Sequence, residues 1–156
     1  MIAIVDYGMG NLRSVSKALE HLGATAQVTG DPHTIQRADK LILPGVGAFP
    51  AAMRELQARG LVEPIKEAIA GGKPYLGICL GLQLLFEHSE EGNGANGLGI
   101  LSGVVRRFSF EHSAFRIPHS ALKIPHMGWN QVARKQGAGS REQGDCPLLQ
   151  GIPEGS

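Results

Sequence analysis

Residues 74–88 read PYLGICLGLQLLFEH. Pro74–Ile78 is an apolar, strand-like run. Leu80–His88 follows with apolar residues at helical spacing, so the stretch reads as strand, tight turn, helix. At the junction stands Gly77-Ile78-Cys79-Leu80-Gly81, a G-x-C-x-G sequence in the setting of a nucleophile elbow. The central residue of such a turn sits in a strained backbone conformation, and neighbours without a Cβ let the turn close tightly. The first N–H groups of a following helix favour a negative sulfur, and the Leu80 N–H would face a developing oxyanion. A buried structural cysteine has the same spacing, and spacing alone leaves both readings open. Gln83, one turn further on, would share the opening with the thiol or lie in solvent.

Working outward from this junction, the first 90 residues alternate between strand and helix. Ile2–Val5 is a short apolar run closed by Asp6-Tyr7-Gly8-Met9-Gly10. Asn11 is an N-cap for a helix whose apolar positions are Leu12, Val15, Leu19 and Leu22, with Gly23 as its stop. Ala24–Thr29 reads as a second strand, Asp31-Pro32 as the start of a short helix, and Leu41–Leu43 as a third strand. Ala51–Ala70 is helical, broken near Gly60 and restarted around Val62, with Gly71-Gly72 at its end. This alternation is the signature of a mostly parallel α/β sheet with helices on both faces, whose ligands sit at the carboxyl ends of the strands. Beyond Ile100 the pattern changes. Ile100–Phe110 and Leu122–Ala133 read as extended, and residues 134–156 as loop. The 156 residues show no internal repeat and are expected to form a single domain.

Composition excludes several classes. The net charge is +1 with 19% charged residues, which gives no strong pull on nucleic acid or an anionic membrane. No apolar run approaches the roughly 20 residues that span a bilayer, and the N-terminus lacks the basic start of a signal peptide. Two cysteines, Cys79 and Cys146, make neither a disulfide framework nor a paired zinc motif. A cytoplasmic protein is the expectation.

Two other segments carry possible chemistry. Pro44-Gly45-Val46-Gly47-Ala48-Phe49 follows a strand, and its glycines would let the backbone turn N–H groups toward a ligand, as a second oxyanion loop or as an ordinary strand-to-helix turn. Lys123-Ile124-Pro125-His126-Met127-Gly128-Trp129-Asn130 holds the single Trp of the chain, either an interface anchor or a core aromatic. A cysteine nucleophile needs a base, usually His. His21, His33, His88, His112, His119 and His126 include none with an obvious orienting partner, so the residues alone leave the base unassigned. His88 ends the predicted elbow helix.

With these segments in hand, the chain resembles the class I, triad-type glutamine amidotransferases, and within them the glutaminase subunits of imidazole glycerol phosphate synthase. The matching stretches are DYGMGNLRSV (6–15), LPGVGAF (43–49), GICLGLQLLFEHSEE (77–91), KIPHMGWN (123–130) and PLLQGIPEGS (147–156). The resemblance implies an amidotransferase fold and Cys79 as the nucleophile that forms a γ-glutamyl thioester. It implies that Gly45, Val46, Gly47 and the Leu80 N–H stabilise the oxyanion, and that Gln83 helps bind glutamine. It further implies a (βα)₈-barrel cyclase as heterodimer partner that receives the ammonia, with His126, Trp129 and Asn130 at the partner interface. No metal or organic cofactor is implied. In the family a V-H-S-Y segment and an H-P-E segment, which supplies the His and Glu of the triad, follow the part matched by IPEGS. The chain ends at Ser156 before both, so the C-terminal strands are expected to be missing. Residues 111–121 diverge as an insertion would. The alternatives are an inactive, partner-binding fragment and a paralogous amidotransferase serving another synthase.

Overall fold

The computed structural model describes residues 1–107. Its central sheet has four parallel strands, β1 (Ile2–Val5), β2 (Ala26–Thr29), β3 (Lys40–Gly45) and β4 (Tyr75–Cys79), in the order β2-β1-β3-β4. β1 and β3 are buried along almost their whole length, as expected of inner strands in a parallel sheet. The chain builds outward from β1 to β2, then crosses to the other side of β1 to lay down β3 and β4. The reversal puts the switch point between β1 and β3, and in open α/β sheets ligands bind outside the carboxyl ends of the strands at such a point.

The helices form where capping and periodicity place them. In α1 (Leu12–His21) the Asn11 side chain accepts the Ser14 N–H, and α1 packs against β2 and β1. α2 (Pro32–Arg37) starts at Asp31, with Pro at its first position where no N–H is needed. α3 (Phe49–Ala58) and α4 (Val62–Ala70) are separated by a break at Gly60, where φ is +66°. The core joins Ala3, Val5, Leu41 and Leu43 of the sheet to Ile35 of α2, to Phe49 and Leu56 of α3 and to Ile65 of α4. The alternate strand positions on the sheet side are those that share one face.

One sequence expectation is corrected here. Leu80–His88 is not one helix. α5 covers only Leu80–Gln83, and Phe86–Ser89 is a strand, β5, pairing with β6 (Ala95–Asn96) antiparallel and β7 (Leu101–Val105) parallel. The cause lies in the carbonyl groups. Leu84 accepts from the Leu98 N–H, Leu85 from Ile100 and Leu101, and Phe86 from Gly99. These acceptors serve the returning chain rather than a helical ladder. Apolar residues at 80, 82, 84 and 86 fit a period of two as well as a helical one, and the non-local partners decide between them. His33 lies within α2, the short helix expected to start at Asp31-Pro32. Leu122–Ala133 and the loop reading of 134–156 lie outside the described residues, as does the end of the 100–110 segment.

Asp31 provides a test of the capping. Its carboxylate accepts from the Thr34 hydroxyl at 2.6 Å and from the N–H groups of Thr34 and His33 at 3.0 and 3.3 Å. The Thr34 hydroxyl is the main reason the carboxyl is held below its ordinary range. A carboxyl depressed on folding stabilises the fold above its unfolded pKa, and the gain is lost as pH falls through the folded value. Urea titrations across the acid range should therefore show stability falling with pH less steeply in Asp31→Asn, which still caps but does not titrate. Identical slopes in parent and variant would show that the cap contributes nothing through its charge.

Candidate active site

β4 delivers Cys79 to the carboxyl edge of the sheet. Its backbone has φ +56° and ψ −115°, and it is the sole non-glycine residue with positive φ among those described. Such a conformation costs of order 1–3 kcal/mol and persists where the surroundings over-determine it. The surroundings are backbone. A methyl group at position 81 would overlap the Leu43 carbonyl, and one at position 77 would lie 2.6 Å from the Gly81 oxygen and from Leu82. The two glycines of the G-x-C-x-G sequence are therefore needed for close packing of α5 onto β3 and β4. The Tyr75 hydroxyl donates to the Gly81 carbonyl at 2.9 Å and pins the turn from below. Cys79 is exposed and free.

The elbow is as expected from sequence, but the helix beyond it is a single turn. Any favourable field at the sulfur thus comes from a few individual N–H groups rather than from a long macrodipole. Leu80 is buried at the start of this turn, and Gln83, its last residue, is half-buried.

The structure brings the second candidate loop directly beside the cysteine. Gly45 is the register partner of Cys79 across the β3–β4 pair. Gly45 is buried, Val46 is 54% exposed, and Gly47 adopts φ +94°. A third loop, residues 6–10, leans on it: a Cβ at Gly10 would stand 3.1 Å from the Pro44 oxygen, and one at Gly47 would stand 2.9 Å from Met9 Cε. Asp6 holds this loop by accepting the Gly8 N–H at 2.9 Å. The loops after β1 and β3 and the elbow after β4 thus meet at the carboxyl edge of the sheet.

Glu91 was not singled out by sequence reasoning. Ala48, the N-cap of α3, offers no side-chain hydrogen bond. The carboxylate of Glu91, 42 residues away, accepts the Phe49 N–H at 2.9 Å instead. Glu91 is steadied in turn by its own N–H, which donates to the hydroxyl of the fully buried Ser89. This contact anchors the far end of the Pro44–Phe49 loop. Its one local signal is an acidic residue soon after an apolar run, which is too common to single out.

A thiol on a strained turn, beside a glycine loop with free backbone orientation, can attack a carbonyl carbon and have the resulting oxyanion held by N–H groups. His88, the histidine nearest the elbow in sequence, lies on β5, where its Nδ1 is 3.2 Å from Asn96 Oδ1. Among the described residues no three His, Cys, Asp or Glu side chains converge to hold a metal. His126, Trp129 and Asn130 lie outside the described residues.

Comparison with known proteins identifies the family. The glutamine amidotransferase class-I family model matches residues 3–154, and the chain belongs to that family. Relatives from several organisms carry the name imidazole glycerol phosphate synthase subunit HisH. The one from Nostoc punctiforme is 57% identical over 136 residues, covering 87% of this chain and 60% of its own. That from Bacillus cereus is 50% identical over 156 residues, 100% of this chain and 66% of its own. That from Synechococcus elongatus is 55% identical over 151 residues, 97% and 62%. The chain therefore spans less than two thirds of the length of these relatives. A crystal structure described as a glutamine amidotransferase matches with a TM-score of 0.60 at 23% identity, covering 71% of this chain and 59% of its own. This likeness shows the α/β fold.

Removing the Glu91 cap should cost about 0.5–2 kcal/mol, the usual value of a lost N-cap. Glu91→Gln keeps an acceptor and should retain most of it. Denaturant unfolding of both variants checks this, and equal losses in the two would show that the Phe49 N–H is not what the carboxylate serves.

Proposed function

We propose that this chain carries out the glutaminase half of imidazole glycerol phosphate synthesis. Cys79 attacks the side-chain carbonyl of glutamine and forms a C–S bond. The tetrahedral oxyanion is held by N–H groups of the Gly45–Val46–Gly47 loop and by the Leu80 N–H. Collapse breaks the C–N bond, and the nitrogen leaves as ammonia once protonated. Water then releases glutamate from the γ-glutamyl thioester. Gln83 contacts the substrate at the mouth of the elbow. A base, assigned by family resemblance to an H-P-E segment, takes the thiol proton and returns it to the leaving nitrogen.

The observation that carries this reading is the positive-φ Cys79 standing beside Gly45 at the open edge of a parallel sheet. The choice of glutamine as substrate follows from the family, and the choice of pathway from relatives 50–57% identical. The ammonia passes to a (βα)₈-barrel cyclase subunit, which makes imidazole glycerol phosphate and an aminoimidazole carboxamide ribotide in histidine biosynthesis. The pair is a cytoplasmic heterodimer in this reading. No described helix is long and apolar enough to cross a membrane.

A glutamine-derived diazoketone, which presents an electrophile where the amide stands, tests the nucleophile. It should label Cys79 in a chain continued with the C-terminal third of the Bacillus cereus relative, and free glutamine should protect. Turnover in that chain should vanish in Cys79→Ala. Labelling of Cys146 instead, or labelling indifferent to glutamine, contradicts the assignment.

The partner surface is tested separately. Trp129 belongs to KIPHMGWN, and an aromatic anchor truncated at an interface costs about 2 kcal/mol or more, roughly 30-fold in Kd. Titration of the barrel subunit against the continued chain should show that loss in Trp129→Ala, with circular dichroism confirming the fold. Equal affinity would move the interface elsewhere.

A further inference from the structure

Tyr7 follows β1 in the DYGMG loop and is fully buried. Among the described residues its hydroxyl is the one buried side-chain polar atom without a hydrogen-bond partner. A buried hydroxyl left unpaired costs free energy that a phenylalanine at the same place would not. The position of the oxygen is informative. The space that a Cβ at Gly45 would take is bounded at 2.8 Å by three atoms: the Tyr7 hydroxyl oxygen, the Gly81 nitrogen and the Leu80 Cβ. Gly45 is the register partner of Cys79, and Leu80 and Gly81 are the next two residues of the elbow. The unpaired hydroxyl therefore lies where the glycine loop of β3 meets the nucleophile turn.

The neighbouring hydroxyl cannot fill this role, because Tyr75 already donates to the Gly81 carbonyl. The ionisable groups acting on Tyr7 among the described residues are Cys79 at the end of β4, while Tyr7 in turn acts on Tyr75. On the outer side, the Glu55–Arg59 ion pair of α3 stands over Gly8. Burial, and after it the charge of Cys79, pushes the Tyr7 hydroxyl up to about 12. The shift is away from the neutral range, so the hydroxyl serves as a donor rather than as the base.

We propose that the Tyr7 hydroxyl is a catalytic hydrogen-bond donor, left unpaired in the resting chain and engaged by the Cys79 sulfur when the thiol ionises. The inference rests on Cys79 being the nucleophile. The thiol proton leaves to solvent or to the base, and Tyr7 keeps its own. The neutral thiol needs little from the hydroxyl, whereas the thiolate gains a charge-assisted bond. The resting state thus bears a polar group that is satisfied only along the reaction, a trade of stability for function.

The experiment compares the 156-residue chain with Tyr7→Phe. Alkylation by iodoacetamide is followed against pH with mass-spectrometric mapping, so that Cys146 is a reference thiol in the same molecule, and thermal unfolding is recorded in parallel. Tyr7→Phe should melt at the same temperature as the parent or higher. Its Cys79 should alkylate roughly tenfold more slowly at neutral pH, the effect of one hydrogen bond to a charged group. The Cys79 profile should move to higher pH while that of Cys146 stays in place. An unchanged Cys79 profile in the folded variant overturns the proposal. So does a Tyr7→Phe chain that melts earlier or fails to fold, because the hydroxyl would then have a structural partner. A parent chain in which Cys79 reacts no faster than Cys146 overturns the nucleophile assignment itself, and the role of Tyr7 with it.

Discussion

The site depends on how closely one turn of backbone lies on two strands. α5 rests with Gly81 against the Leu43 carbonyl and folds back over Gly77, leaving no room for a side chain at either position. That approach forces the intervening Cys79 into positive φ and turns it out of the sheet. A side chain at position 77 or 81 would force α5 to stand further off the strands. The strain at one residue is sustained by the packing of Gly77, Gly81 and Leu82 against each other and against Leu43, which is the usual way a local outlier survives.

The same economy of space links the other loops. Gly10 lies under Pro44, Gly47 lies under Met9, and the Tyr7 hydroxyl reaches the point where Gly45 faces Gly81. These contacts join segments far apart in sequence. Each works because one partner lacks a Cβ, so the loops after β1, β3 and β4 form a rim made largely of main chain. From the outside it is held by Glu91 on the first N–H of α3, which ties the small β5–β7 sheet to the loop that begins α3.

Much of this was legible in the sequence. The four parallel strands, the breaks at Gly23, Gly60 and Gly71, and the caps Asn11 and Asp31 all follow from local pattern, because each is decided by residues within one turn of it. The G-x-C-x-G elbow was legible for the same reason. Leu80–His88 was not, because LGLQLLFEH satisfies both periods and the outcome depends on N–H groups at 98–101 that compete for its carbonyls. Glu91 and the buried hydroxyl of Tyr7 were invisible for a related reason. Glu91 acts on a backbone N–H 42 residues away, which leaves no residue-type signature at the receiving end, and the place of the Tyr7 hydroxyl between Gly45 and Gly81 exists only once the strands are assembled. The pairing of Gly45 with Cys79 is a property of strand register, which only the assembled sheet specifies.

The central claim is that Cys79, presented by this elbow, attacks the amide of glutamine. Rapid-quench mass spectrometry on the continued chain during its first turnover tests it directly. The account predicts a γ-glutamyl group on the peptide that contains Cys79, appearing with an equal amount of ammonia and disappearing as glutamate is released. Consumption of glutamine with no adduct on that peptide, or with the adduct on Cys146, would contradict it.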